Sequence, residues 1–127
     1  VSCVKNFPIP ESSIESAGGT PWHFDDNETS ISGSPVEVLT FTVPVGRTRY
    51  ITSIIGVACC EGIFELKNGA DILAKFSTTP SNFKESFKFD PPLPIIAGST
   101  VVLNYTANVD NPNVDVHGFI MGNDKFS

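Results

Sequence analysis

Few groups in this chain have the type and spacing for chemistry. The two histidines, His23 and His117, stand far apart, and neither falls in a His-x-His, His-x-x-x-His or Cys-x-x-Cys spacing that gathers a metal ion. His117 lies between Val116 and Gly118 in a strand-like run, where a surface or interface histidine is the expected role. Two acidic groups offer oxygen ligands of the kind Ca²⁺ takes: Asp25, Asp26, Asn27 and Glu28, and then Asp110, Asn111, Asn113 and Asp115. Neither has the regular acidic spacing and glycine of a calcium loop, and Asn and Asp are turn formers, so both read as turns. No pair of carboxylates is singled out for glycoside hydrolysis. The expectation is a chain with no catalytic residue, no metal and no cofactor.

The thiols and aromatics lead the same way. Cys59 and Cys60 are adjacent in a strand-like run, where alternation sends their side chains to opposite faces and a disulfide between them would need a distorted backbone. With Cys3 the count is odd and has no framework spacing, which points to free thiols in a reducing cell, the alternative being a Cys3 bridge in a secreted protein. Glu61 follows directly, so nothing lowers a thiol pKa, and a core or interface role is expected. Trp22 has three readings: a sugar-stacking platform, an interface anchor, or a side chain packed on its own domain. Tyr105 is a second aromatic available to a sugar. The run from Phe83 to Phe89 interleaves Phe with Lys84 and Lys88, as in a sheet that binds single-stranded nucleic acid. Its alternation puts Phe and Lys on opposite faces, which suits a core strand with a solvated back.

Positioning such residues falls to short strands. VEVLTFTV (36–43) alternates Leu39, Phe41 and Val43 against Val38, Thr40 and Thr42, the pattern of a half-buried antiparallel strand. Pro44-Val45-Gly46 turns the chain, and RYITSIIGVACC (49–60) and EGIFELK (61–67) either pair or run on through a bulge near Gly62. Asn68-Gly69 is the strongest hairpin signal, leading to DILAKFS (71–77) and then NFKESFKFD (82–90). PPLPIIAGS (91–99) reads as a connection, because proline gives no ladder donor. TVVLNYTA (100–107) and VDVHGFIMG (114–122) close the series. Strands at this spacing predict an all-β fold: an antiparallel β-sandwich, jelly-roll-like, over residues 35–127. An immunoglobulin-type sandwich is disfavoured because its Cys, Trp, Cys order is missing.

Residues 1–34 are expected to be an irregular arm, broken by Pro8, Pro10, Gly18, Gly19, Pro21 and Gly33, with WHFDDNETSI adding one edge strand. Its apolar groups Phe7, Ile9, Ile14, Trp22 and Phe24 are the candidate partner-binding residues, since so many would not stay solvated in a free linker. A net charge of −6 without a basic cluster repels phosphate backbones and anionic lipid, so neither nucleic acid nor membrane is an expected partner. No apolar run approaches the roughly 20 residues that span a bilayer. Ile54, Ile55 and Val57 put apolar groups on both faces of one strand, which predicts a homo-oligomer.

The runs FTVPVGRTRYITSI, GIFELKNGADIL, FDPPLPIIAGSTVVLNYTA and VDVHGFIMG together resemble a pattern in small jelly-roll virion proteins of tailed bacteriophages. There a TVP-G turn enters a YITSI strand, an F-L-NG hairpin follows, and a PL-I-AG connection precedes a strand pair ending near GFIMG. The likeness covers residues 41–122; Cys59-Cys60 and Pro91-Pro92 depart from it. It implies a head decoration or cement protein, commonly a trimer, held in the virion after assembly in the host cytoplasm. Its implied partners are the major capsid protein or other virion proteins, and it carries no catalytic residues. The alternative is a carbohydrate- or receptor-binding module of a tail fibre or baseplate.

Overall fold

A computed structural model describes residues 19–30, 34–107 and 114–126 as eight strands, with no helix among the described residues. In chain order they are β1 (Thr20–Ser30), β2 (Pro35–Thr42), β3 (Arg47–Ala58), β4 (Gly62–Asn68), β5 (Asp71–Thr78), β6 (Lys84–Ile95), β7 (Thr100–Ala107) and β8 (Val114–Phe126). All pairings are antiparallel, giving one sheet in the order β1-β8-β3-β6 and another in the order β2-β7-β4-β5. Each connection crosses from one sheet to the other except the β4–β5 hairpin. That interleaving is the double Greek-key wiring of a jelly roll, as the strand spacing predicts.

The hairpin sits where Asn68-Gly69 indicates, with Gly69 at φ 63° supplying the left-handed conformation of a tight turn. The core lies between the sheets. Leu39, Phe41, Phe64, Leu66, Leu103 and Tyr105 face Ile51, Ile54, Val116 and Ile120, all buried. Each such side chain is worth about 1.5–3 kcal/mol on burial, which is what holds two four-stranded sheets face to face. The simple alternation expected of β2, with Val38 on the face away from Leu39, is broken: a register shift between Glu37 and Leu39 lets the consecutive residues Val38 and Leu39 both turn inward.

Four further expectations need correcting. Residues 20–30 are not irregular: they form β1, which pairs with β8 from Thr20↔Asp124 to Ser30↔Val114 and extends the anticipated edge strand. β1 is thus part of the sandwich and not of an arm. Second, Pro91, Pro92 and Pro94 belong to β6. Proline is tolerated there because β6 is an edge strand, and because pairing jumps from Ser53↔Lys88 to Ile51↔Leu93, leaving residues 89–92 out of the ladder. Third, Asp25 to Glu28 lie within β1 and not in a turn, all four exposed. Fourth, β3 and β4 neither pair nor run on: a bend at residues 59–61 carries the chain from one sheet to the other, and Cys59 and Cys60 are on it.

Candidate functional site

The outer face of the β1-β8-β3-β6 sheet is the surface most unlike ordinary solvated strand. Because Ile120, Gly118 and Val116 of β8 point into the core, Asp115, His117, Phe119 and Met121 point out. Register sets Ile55 opposite Phe119, Val57 opposite His117 and Ser53 opposite Met121, so the two central strands present Ile55, Val57, Phe119 and Met121 side by side. Phe119 is 37% exposed, and Ile55, Val57 and Met121 are half-buried by their neighbours alone. Lys84 and Lys88 flank this centre on β6; His23, Asp25 and Asn27 flank it on β1. The rims therefore differ in charge. His117 is a surface histidine on this face, as its setting in the sequence indicates.

The opposite outer face is mixed. Thr40 and Thr42 of β2, Asn104 and Thr106 of β7, and the Glu65–Lys75 ion pair at 3.7 Å between β4 and β5 share it with Val102 and the exposed Ile63 and Ile72. Alternation in β6 sends Phe87 and Phe89 toward the core and Lys84, Ser86 and Lys88 outward, so no aromatic and basic surface forms there.

Of the expected partner-binding residues, Phe7, Ile9 and Ile14 lie outside the described residues. Trp22 turns inward from β1 and packs on its own sandwich. Its ring meets Phe41 at 4.8 Å between centroids, and the guanidinium of Arg49 stacks over it at 3.8 Å. Arg49 in turn donates to Asp124 from Nε at 2.6 Å and from Nη2 at 2.8 Å, a two-pronged pair in which both residues are buried. Phe24 shares Trp22's face, opposite Ile120, and is 37% exposed at the sheet edge. Tyr105 is fully buried against Phe64, so it offers no platform to a sugar. Its place in alternation with Leu103 and Ala107 is a core signal in the sequence.

At one end of the sandwich the β3–β4 bend places the Cys59 and Cys60 sulfurs 2.9 Å apart, with Cys59 exposed and Cys60 half-buried against the core. Strand alternation does not apply to them, which corrects the opposite-face expectation, and Cys59 is not a core thiol. The hydroxyls of Thr78 and Tyr105 both donate to the Cys60 carbonyl, at 2.8 and 3.3 Å. The hydrogen-bonding Cys59 sulfur, and then burial, push the Cys60 thiol above its ordinary pKa. Burial likewise pushes the Tyr105 phenol up, with the Thr78 hydroxyl acting in the opposite direction. An open cleft of about 250 Å³ lies alongside, lined by Glu61, Gly62, Ile63, Ser77, Thr78 and Thr79. Among the described residues, no three His, Cys, Asp or Glu side chains converge as a metal site would require. Comparison with protein-family models, curated proteins and solved structures finds no match to this chain.

Proposed function

We propose that this chain is a non-enzymatic structural protein of a phage particle, a capsid decoration or cement protein that stabilises the shell by bridging neighbouring subunits. The observation that carries the reading is the apolar centre of one outer face. Ile55, Val57, Phe119 and Met121 cluster on its two central strands, whereas Ile63, Ile72 and Val102 on the other face are interspersed with Thr, Asn, Glu and Lys. A contiguous apolar centre rimmed by charge is the make-up of a docking surface. The jelly-roll wiring and the likeness of residues 41–122 to small virion proteins support the same reading. Its partners are the major capsid protein or other virion proteins, with a homotrimer as the unit that docks. A specific attachment needs about 800 Å² from each partner, and repetition over a shell multiplies it without chemistry.

The carbohydrate-binding alternative has lost its aromatic platforms: Arg49 lies over Trp22, and Tyr105 is in the core. The test is a mass-spectrometric inventory of purified particles with copy number. Copies in fixed proportion to the major shell protein are expected. Absence from the particle, or a few copies at the tail alone, would refute the decoration role.

A further inference from the structure

We infer that Cys59 and Cys60 form a vicinal dithiol, a modification site that closes to a cyclic disulfide by exchange with a small-molecule disulfide. Adjacent cysteines in a strand point to opposite faces and cannot meet. Here β3 ends at Ala58, the chain bends through residues 59–61, and both sulfurs emerge on one side, 2.9 Å apart. They are near enough for direct attack of one on a bond formed by the other.

The bend is held from beneath. The Cys60 carbonyl accepts from the hydroxyls of Thr78 on β5 and Tyr105 on β7, two strands of the neighbouring sheet, so the juxtaposition is fixed by the sandwich. Gly62, directly after the bend, lets the chain pass against Tyr105: a Cβ there would overlap the phenol. Access divides the roles. Cys59 is exposed and meets the incoming disulfide; Cys60, half-buried and carrying the raised thiol pKa, is the resolving thiol.

The steps balance. The Cys59 thiolate attacks one sulfur of the small disulfide, forming a mixed disulfide and expelling one small thiolate. The Cys60 thiolate then attacks the Cys59 sulfur and expels the second. Two protein thiols give up two electrons and two protons, and the small disulfide leaves as two thiols. The ring spans one peptide bond, and its α-carbons, about 3.8 Å apart, are closer than in an ordinary disulfide, so the product is readily reduced again. That reversibility fits a redox-responsive site and not a structural staple.

The experiment incubates the full native chain with glutathione disulfide, blocks residual thiols with N-ethylmaleimide, and reads intact mass and peptide map. The expected product has the peptide with Cys59 and Cys60 short of two hydrogen masses, with neither glutathione nor N-ethylmaleimide on it, while N-ethylmaleimide or glutathione is carried by Cys3 alone. Dithiothreitol added before blocking restores the starting mass. Cys60→Ser is expected to stop at the mixed disulfide on Cys59, and Cys59→Ser to lose the ring product entirely. A stable glutathione adduct on wild-type Cys59, separate blocking of both thiols by N-ethylmaleimide after the incubation, or a disulfide from either residue to Cys3 or to a second chain overturns the proposal. The wild-type product decides the matter even if a variant folds poorly.

Discussion

Replacing Asp124 with alanine strikes the most strongly coupled polar group in the sandwich. Asp124 accepts both hydrogen bonds from Arg49, and the two side chains are 5–6% exposed. Removing the carboxylate leaves a guanidinium shut between Trp22 and Phe41 without a counter-charge. Stranding one member of a buried pair costs about 3–5 kcal/mol. Arg47, 3.5 Å from the same carboxylate, adds little, because at 40% exposed it turns to water. Against a domain stability of about 5–15 kcal/mol, the loss is a large fraction. At about 4 °C per kcal/mol it lowers Tm by about 12–20 °C. Urea titration reads it, using fluorescence of the sole tryptophan, Trp22, which stacks on Arg49 itself, with circular dichroism as the second probe for two-state behaviour. The double variant Arg49→Met/Asp124→Leu removes both charges and is expected to recover at least about 2 kcal/mol relative to Asp124→Ala. A loss below about 1 kcal/mol for Asp124→Ala, the scale of an exposed pair, would show that the pair is solvated and the burial argument mistaken.

Other expectations follow from the same packing. Gly56→Ala sets a Cβ 2.7 Å from the buried Phe64 ring and should cost about 1–3 kcal/mol, read as a drop in urea midpoint. Phe119→Arg with Ile55→Lys should leave stability within about 1 kcal/mol while abolishing oligomerisation and shell attachment, as seen by native mass spectrometry and particle sedimentation. Because the folded Tyr105 phenol has a raised pKa, its contribution is whole below the unfolded value of about 10 and is lost as pH rises past it. Tyr105→Phe should therefore cost about 0.5–1.5 kcal/mol at neutral pH and flatten the alkaline decline. Deleting residues 1–18 should keep the cooperative transition and weaken attachment, whereas deletion through residue 34 also removes β1 and Trp22 and should destabilise the sandwich.

Much of the fold is legible because alternation, turns and apolar runs agree along β7 and the core half of β8, and because Asn68-Gly69 marks the hairpin between β4 and β5. The failures share a cause: each depends on where a strand lies in its sheet, which local pattern does not encode. Pro91, Pro92 and Pro94 bar a central strand but not an edge strand with residues outside the ladder, and nothing in the sequence says that β6 is at the edge. Asp25 to Glu28 resemble a turn by composition, yet β8 is long enough to template a strand through them. Cys59 and Cys60 continue a β-forming run by composition, and only the need to cross between sheets bends the chain there. Tyr105 is the reverse case. Its place between Leu103 and Ala107 in strict alternation marks it as core, and reading it as a sugar platform set side-chain chemistry above periodicity.

The two faces of the sandwich finally bear on which strand pair faces a partner. A sheet face meeting water has no need of Ile55 and Phe119 as direct cross-strand neighbours, and on the outer face of the β2-β7-β4-β5 sheet Ile63 faces Thr106 and Ser77, and Ile72 faces Lys67. Lys84 and Lys88 at one rim and Asp25 at the other give the apolar centre a polarity of charge across the strands. Such a gradient adds little affinity, but it penalises the reversed orientation and so sets register. In the proposed docking, burial at the centre and charge at the rims would divide attachment between them. Neutralising the rim with Lys84→Gln and Lys88→Gln should slow association and weaken its salt dependence while leaving dissociation nearly unchanged; Phe119→Arg should act on dissociation. If the lysine variants and Phe119→Arg altered the same rate to the same extent, the centre and the rim would not be parts of one docking face.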